Sequence, residues 1–139
     1  MRCLGLDLGT KTLGLAMSDK SNMIASPYRV LHWDGEDYEP LLNELDSIIK
    51  DYAITDLVLG LPKNMDNTQG FAAERSLKFK KVLESRFQLK VILIDERLST
   101  VEATNYLLEA DVSRKKRKKI VDSIAASVIL DSYLKMKGN

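Results

Sequence analysis

Two residue types are nearly missing from this chain of 139 residues. Cysteine occurs once, at Cys3, and histidine once, at His32. A single cysteine excludes an intrachain disulfide and an all-cysteine zinc site. A single histidine removes zinc-protease chemistry and most histidine-dependent catalysis. Long apolar runs are missing as well. Nothing approaches the ~20 residues of a membrane span, and the opening residues show no signal-peptide pattern. No membrane partner is therefore expected. The hydrophobic fraction of 45% and the charged fraction of 29% are ordinary for a globular protein. The length suits a single domain over residues 1–139. Any catalytic apparatus must come mainly from carboxylates, lysines, arginines and hydroxyls.

Charge of both signs is present but unevenly spread. Residues 1–70 hold 6 Lys and Arg against 11 Asp and Glu, a balance of −5. Residues 71–139 hold 15 against 9, a balance of +6. Such asymmetry suits a basic surface facing a polyanion.

The stretch from Cys3 to Ala16 reads as a strand, a tight turn and a returning strand. Leu4, Leu6 and Leu8 share one face, and Cys3, Gly5 and Asp7 the other. A carboxylate inside an apolar strand is the anomaly, because burying it unpaired costs several kcal/mol. Gly5 and Gly9 leave room beside it, which a divalent cation would fill while stabilising the charge. An Asp accepting turn hydrogen bonds at a hairpin mouth is the plain structural alternative.

Ile24–Trp33 gives a third extended stretch, with Pro27 favouring a sheet edge and His32 packed or edge-exposed. An acidic turn at 34–37 opens a helix whose stripe is Leu41, Leu42, Leu45, Ile48, Ile49 and Tyr52. Leu57–Leu61 and Val91–Ile94 read as strands buried on both faces. Between them lies a helix running to about Phe87, with Thr68 as its expected cap. Ser99-Thr100-Val101-Glu102 forms a capping box for another helix, and a last helix is expected from about Ile120 to Lys135. The order β-β-β-α-β-α-β-α-α implies an α/β domain with a mixed five-stranded sheet covered on both faces.

Four acidic residues, at three places, stand where a strand or helix would prefer an apolar residue or a surface exit. They are Asp7, the pair Asp95 and Glu96 at the end of the last strand, and Asp122. Asp122 shares a helical face with Ala125, Ala126, Ile129 and Tyr133. Helix-dipole stabilisation explains its place along the helix but not its face. Convergent carboxylates without histidine or cysteine suit Mg²⁺ or Mn²⁺. Such ions can support phosphodiester hydrolysis. The run Arg114, Lys115, Lys116, Arg117, Lys118 and Lys119 adjoins the Asp122 helix and is suited to a phosphate backbone. Lys11, Lys63 and Arg97 complete the expected nucleic-acid-binding set.

The sequence resembles the YqgF family, also called RuvX or Holliday-junction-resolvase-like, within the RNase H-like nucleases. The residues that carry the resemblance are Leu6–Ala16, Gly60-Leu61-Pro62, Asp95–Thr100 and Asp122–Ala126. What it implies is an RNase H-like sheet of order 3-2-1-4-5 and a cytoplasmic, metal-dependent nuclease maturing the 5′ end of pre-16S rRNA. Asp7, Glu96 and Asp122 match the family's acidic triad, with Asp95 as an adjacent alternative ligand. The implied partners are nucleic acid, RNA ahead of DNA, and pre-ribosomal particles, for a monomer or homodimer. The rival readings are a branched-DNA resolvase, a non-catalytic RNA-binding assembly factor, and an actin-like ATP-binding module. The last would need a second lobe to enclose its nucleotide.

Overall fold

The structure, a computed structural model, describes residues 2–62, 70–95 and 114–138, with 71, 114–122 and 138 described by their backbone alone. The period-two stretches form β1 (Arg2–Leu8), β2 (Thr12–Ser18), β3 (Ala25–His32), β4 (Ile54–Leu61) and β5 (Lys90–Asp95). The described helices are α1 (Glu39–Tyr52), α2 (Phe71–Phe87) and α3 (Arg114–Gly138).

The five strands make one sheet in the order β3-β2-β1-β4-β5, as expected. The first three strands pair antiparallel, and β4 and β5 join in parallel beside β1. This is the RNase H-like arrangement. Pro27 lies on β3, an edge strand, where its missing N–H costs no central ladder bond. His32 is exposed on the same strand.

Alternation along the strands separates two cores. Leu4, Leu6, Leu8, Leu13, Leu15, Leu57 and Leu59 pack with the stripe of α1 and with Phe79 and Leu83 of α2. Cys3, Ala16, Val58 and Ile94 pack on the other face with Ala126, Ile129, Leu130 and Tyr133 of α3. The α1 stripe buries Leu41, Leu42, Leu45 and Ile48, while Tyr52 at its end is exposed. Asp34 accepts from the backbone N–H of Glu36 and of Asp37, both at 2.8 Å, and Asp37 accepts from Glu39 N–H at 3.0 Å. The first two close the turn that leads into α1, and the third serves a donor that the first turn of the helix leaves unpaired. Both α1 and α2 end on a left-handed residue, Ala53 and Gln88, whose N–H closes the last turn.

The largest difference from the expected boundaries is in the last helix. The last helix starts at Arg114, not near Ile120, and takes in the whole basic tract. Arg and Lys are good helix formers, and no Gly or Pro interrupts residues 114–137. Like charges and the positive end of the dipole oppose that extension. The helix is held instead by its packed carboxyl-terminal part. The expected Thr68 cap and the 99–102 capping box lie outside the described residues. No helix among the described residues is long and apolar enough to cross a membrane.

Candidate active site at the carboxyl end of the sheet

Gly5 sets the distance between sheet and helix. A Cβ there would stand 2.8 Å from the Ala126 carbonyl oxygen and 2.8 Å from Leu130 Cβ, so α3 lies directly on β1. Two residues on, Asp7 is half-buried on the same face near the carboxyl end of this central strand. Its partner across β2 is Gly14. Continuing the parallel register one residue past Leu6–Leu59 sets Gly60 on its other side. Asp7 therefore stands in a row whose nearest neighbours have no side chains.

The direction of α3 follows from its far end. Tyr133 Oη donates to Asp56 Oδ2 at 3.0 Å, and Asp56 is level with Cys3 at the start of β1. The helix thus runs opposite to β1, with Tyr133 near Cys3 and Ala126 over Gly5. One turn before Ala126 the helix axis rises about 6 Å. The strand rises about 6.6 Å from Gly5 to Asp7. Position 122 of the backbone is accordingly level with Asp7. Ala125, Ala126, Ile129 and Tyr133, the residues expected to share a face with position 122, are all buried. The basic tract continues along the helix, and the backbone of 114–119 lies about 10–18 Å from Ala126 measured along the helix axis.

Asp95 ends β5 opposite Leu61 and is exposed. Ile92 and Ile94 pack into the α3 core, whereas Val91 and Leu93 pack into the other. Alternation therefore puts Asp95 on the face away from Asp7. Lys63, Glu96 and Arg97 lie outside the described residues, as do the side chains of Asp122 and of Arg114–Lys119.

The turn after Asp7 is clamped. Gly9 N–H donates to the Thr12 carbonyl at 2.7 Å, and a Cβ on Gly9 would stand 2.7 Å from Thr12 Oγ1. Trp33 Nε1 donates to the Gly9 carbonyl at 3.3 Å, and Trp33 N–H to the Lys11 carbonyl at 3.0 Å. Gly35, at φ +91°, sits against the Thr10 carbonyl, where a Cβ would be 2.9 Å away. Lys11 is exposed in this turn. The N–H groups of Asp37 and Glu36 hold the Asp34 carboxyl below the usual range, and the Lys11 charge acts the same way.

These observations bear on the chemistry available. Among the described residues no three His, Cys, Asp or Glu converge on a metal position. Asp7 supplies a hard oxygen donor beside Gly14 and Gly60, a donor type and a clearance that fit Mg²⁺ or Mn²⁺. Cys3 is no nucleophile: burial first, then the Asp56 charge, pushes its thiol up, and it lies at the opposite end of β1.

Two clusters were not visible in local sequence patterns. Asp56 gathers Tyr133 Oη, Lys137 Nζ at 3.3 Å and the Cys3 thiol at 4.0 Å, fastening the end of α3 to the sheet. Trp33, Tyr38 and Phe79 stack in series, with centroids 5.0 Å and 5.2 Å apart, tying the clamped turn to α2. Neither has a short-range signal, because the partners are distant in sequence.

Comparison with known proteins agrees with this architecture. A protein of Geobacillus sp. (strain WCH70) named "Putative pre-16S rRNA nuclease" is 53% identical over 137 residues, covering 99% of each chain. One of the same name from Bacillus subtilis (strain 168) is 48% identical over 134 residues, covering 96% of this chain and 97% of that one. Among solved structures, the fowlpox virus resolvase in complex with Holliday junction DNA superposes with a TM-score of 0.60 at 16% identity, over 100% of both chains. RuvC of T. thermophilus in complex with a Holliday junction substrate gives 0.56 at 13% identity, over 100% of this chain and 97% of that one. At such identities the likeness is one of fold. The sequence profile of the RuvX family, described as Holliday junction resolvase, matches residues 1–136. With that match spanning nearly the whole chain, the protein belongs to the RuvX family.

Proposed function

We propose that the protein is a divalent-metal-dependent nuclease that acts on nucleic acid at the carboxyl end of the sheet, with the 5′ end of pre-16S rRNA as its substrate. The observation that carries this reading is the placement of Asp7. It is a half-buried carboxylate on the central strand, between glycines, at the level of position 122 of α3. Asp7, Glu96 and Asp122 would hold Mg²⁺ or Mn²⁺. Glu96 is preferred to Asp95 because the alternation of β5 turns Asp95 to the other face. A cation held there would supply activation of water and stabilisation of the leaving oxygen.

The protein's own residues do the rest. Gly14 and Gly60 bring no side chain of their own beside Asp7 in the sheet. Lys11, Lys63, Arg97 and the cations of 114–119 would neutralise phosphates of the strand. The names of the relatives support the ribosomal substrate, and the absence of a membrane-length helix among the described residues agrees with work in the cytoplasm. A free monomer or homodimer, acting on pre-ribosomal particles, completes the reading.

The test is a cleavage panel of pre-16S rRNA 5′ ends, single strands and four-way DNA junctions, in Mg²⁺, Mn²⁺ or EDTA. Expected is cleavage of the pre-rRNA end in either metal and none in EDTA. Asp122→Asn should abolish cleavage while leaving the fold intact. Wild-type cleavage in EDTA, or by Asp122→Asn in Mg²⁺, would overturn the metal assignment. Preferential cutting of the junctions would transfer the activity to branched DNA.

A further inference from the structure

Beside the clamped turn lies an open cleft of about 650 Å³ that the acidic site does not use. One wall is the loop that follows β3, with Gly35, Glu36 and Tyr38. The other is a flank of α2 carrying Glu74, Arg75 and Lys78. Gly35 sits against Thr10, so the cleft begins at the turn that directly follows Asp7. It is therefore at the same end of the sheet as the proposed site but on the side covered by α2, so a strand passing Asp7 reaches it over the turn at 9–11.

The charges in this cleft are not used among themselves. Arg75 Nε is buried and has no hydrogen-bond partner. An unpaired donor on a cation is costly to desolvate, so such groups normally find acceptors. Glu74 and Lys78 have the i, i+4 spacing that favours an ion pair on a helix. The pairs at 46 and 50, at 80 and 84, and at 131 and 135 close in this way, whereas no such bridge joins Glu74 and Lys78 among the described residues. Tyr38 is stacked between Trp33 and Phe79, which fixes the wall in place. Its phenol is raised by burial and stays neutral, an O–H able to donate.

We propose that this cleft is a nucleotide subsite for the strand bound at Asp7, in which Arg75 and Lys78 hold a phosphodiester and Glu36 and Glu74 accept from sugar or base donors. A guanidinium forks onto two phosphate oxygens, and an ammonium adds a point charge. The two carboxylates would repel a bare phosphate, so the mixture selects a nucleotide over inorganic anions. The proposal rests on the nuclease reading, because it takes the ligand to be the same strand that passes Asp7.

The test is equilibrium binding of a short fluorescein-labelled single-stranded oligonucleotide, as RNA and as DNA, to the wild-type protein in EDTA across a KCl series. Arg75→Gln and Lys78→Gln should each weaken binding. Each should also flatten the slope of log affinity against log salt by about 0.7, the value for one single-strand phosphate contact. Arg75→Lys should keep the slope and lose part of the affinity. Lys78 is exposed, so its variant reports on the cleft even if Arg75→Gln destabilises the fold. Normal wild-type binding with an unchanged slope in Lys78→Gln and in folded Arg75→Gln would overturn the subsite and leave the nuclease reading standing. A wild type that binds no oligonucleotide at low salt would remove both.

Discussion

On the face covered by α1 and α2, the central strands present Leu4, Leu6, Leu13, Leu15, Leu57 and Leu59, all fully buried. On the face covered by α3, the same three strands present Cys3, Gly5, Asp7, Gly14, Ala16, Val58 and Gly60. One face is thus filled by large side chains from the sheet itself. The other is lined by small ones, and the volume is supplied by Ile129, Leu130, Tyr133 and Leu134 of a single helix. Burial of each large side chain contributes about 1.5–3 kcal/mol, so the leucine face carries most of the stability. The small-residue face lets a helix backbone come close to β1. It also leaves clearance around Asp7 that a leucine-lined face would fill. On the proposed reading, stability and chemistry are divided between the two sides of one sheet.

The sharpest way to break that division is Asp7→Asn. Cleavage should fall by about a thousandfold or more, equivalent to roughly 4 kcal/mol of transition-state stabilisation. The melting temperature should stay within a few degrees. Initial rates and circular-dichroism melts on the same preparation check both halves. A variant that keeps its rate would return Asp7 to a purely structural role.

Leu6→Ala, one residue away on the opposite face, should do the reverse. Loss of a fully buried leucine should cost about 2–5 kcal/mol in urea unfolding. The rate per folded molecule should be spared. If activity falls with stability in proportion to Asp7→Asn, the two faces are not separable.

Gly5→Ala probes the contact between them. The new methyl group would meet the Ala126 carbonyl and Leu130 Cβ, both at 2.8 Å, and the carbonyl is backbone that moves only with the helix. Overpacking of this kind costs about 1–3 kcal/mol. Displacing α3 should also lower the cleavage rate of the folded protein, which separates this variant from Leu6→Ala. Lost stability at an unchanged rate would show that the helix position is not critical to the site.

The smallest effect is expected from Tyr133→Phe, which removes the hydrogen bond to Asp56 at the far end of α3. A cost of about 0.5–1.5 kcal/mol and an unchanged cleavage rate are expected. Burial first, then the bond to Asp56, raises the Tyr133 phenol above its ordinary value of 10.0. A raised value means that the folded state favours the protonated phenol. Its contribution is therefore present below the unfolded value and is lost as pH rises through the folded one. Wild type and variant should converge in stability in that alkaline range. Unfolding curves taken at neutral pH and above pH 10.0 measure the convergence.

The sequence by itself determined the features that depend on near neighbours. Alternation assigned Leu4, Leu6 and Leu8 to one face and Cys3, Gly5 and Asp7 to the other. Helical spacing put Ala125, Ala126, Ile129 and Tyr133 on one buried face, and Pro27 pointed to an edge strand. The sheet order came from family resemblance and not from spacing. The first turns of α3 were misjudged, because charge repulsion read locally outweighs packing that occurs two or three turns later. Only the tertiary structure decided that Asp95 turns away from Asp7, since a strand's facing is set by what its neighbours bury. Only it brought Tyr133 to Asp56 across 77 residues, stacked Trp33 on Tyr38 and Phe79, and opened the cleft at Arg75. Local periodicity records which side of an element is apolar. Which elements meet, at what distance and with which charges unpaired, depends on sheet register and helix docking, and these are settled only when the whole chain packs.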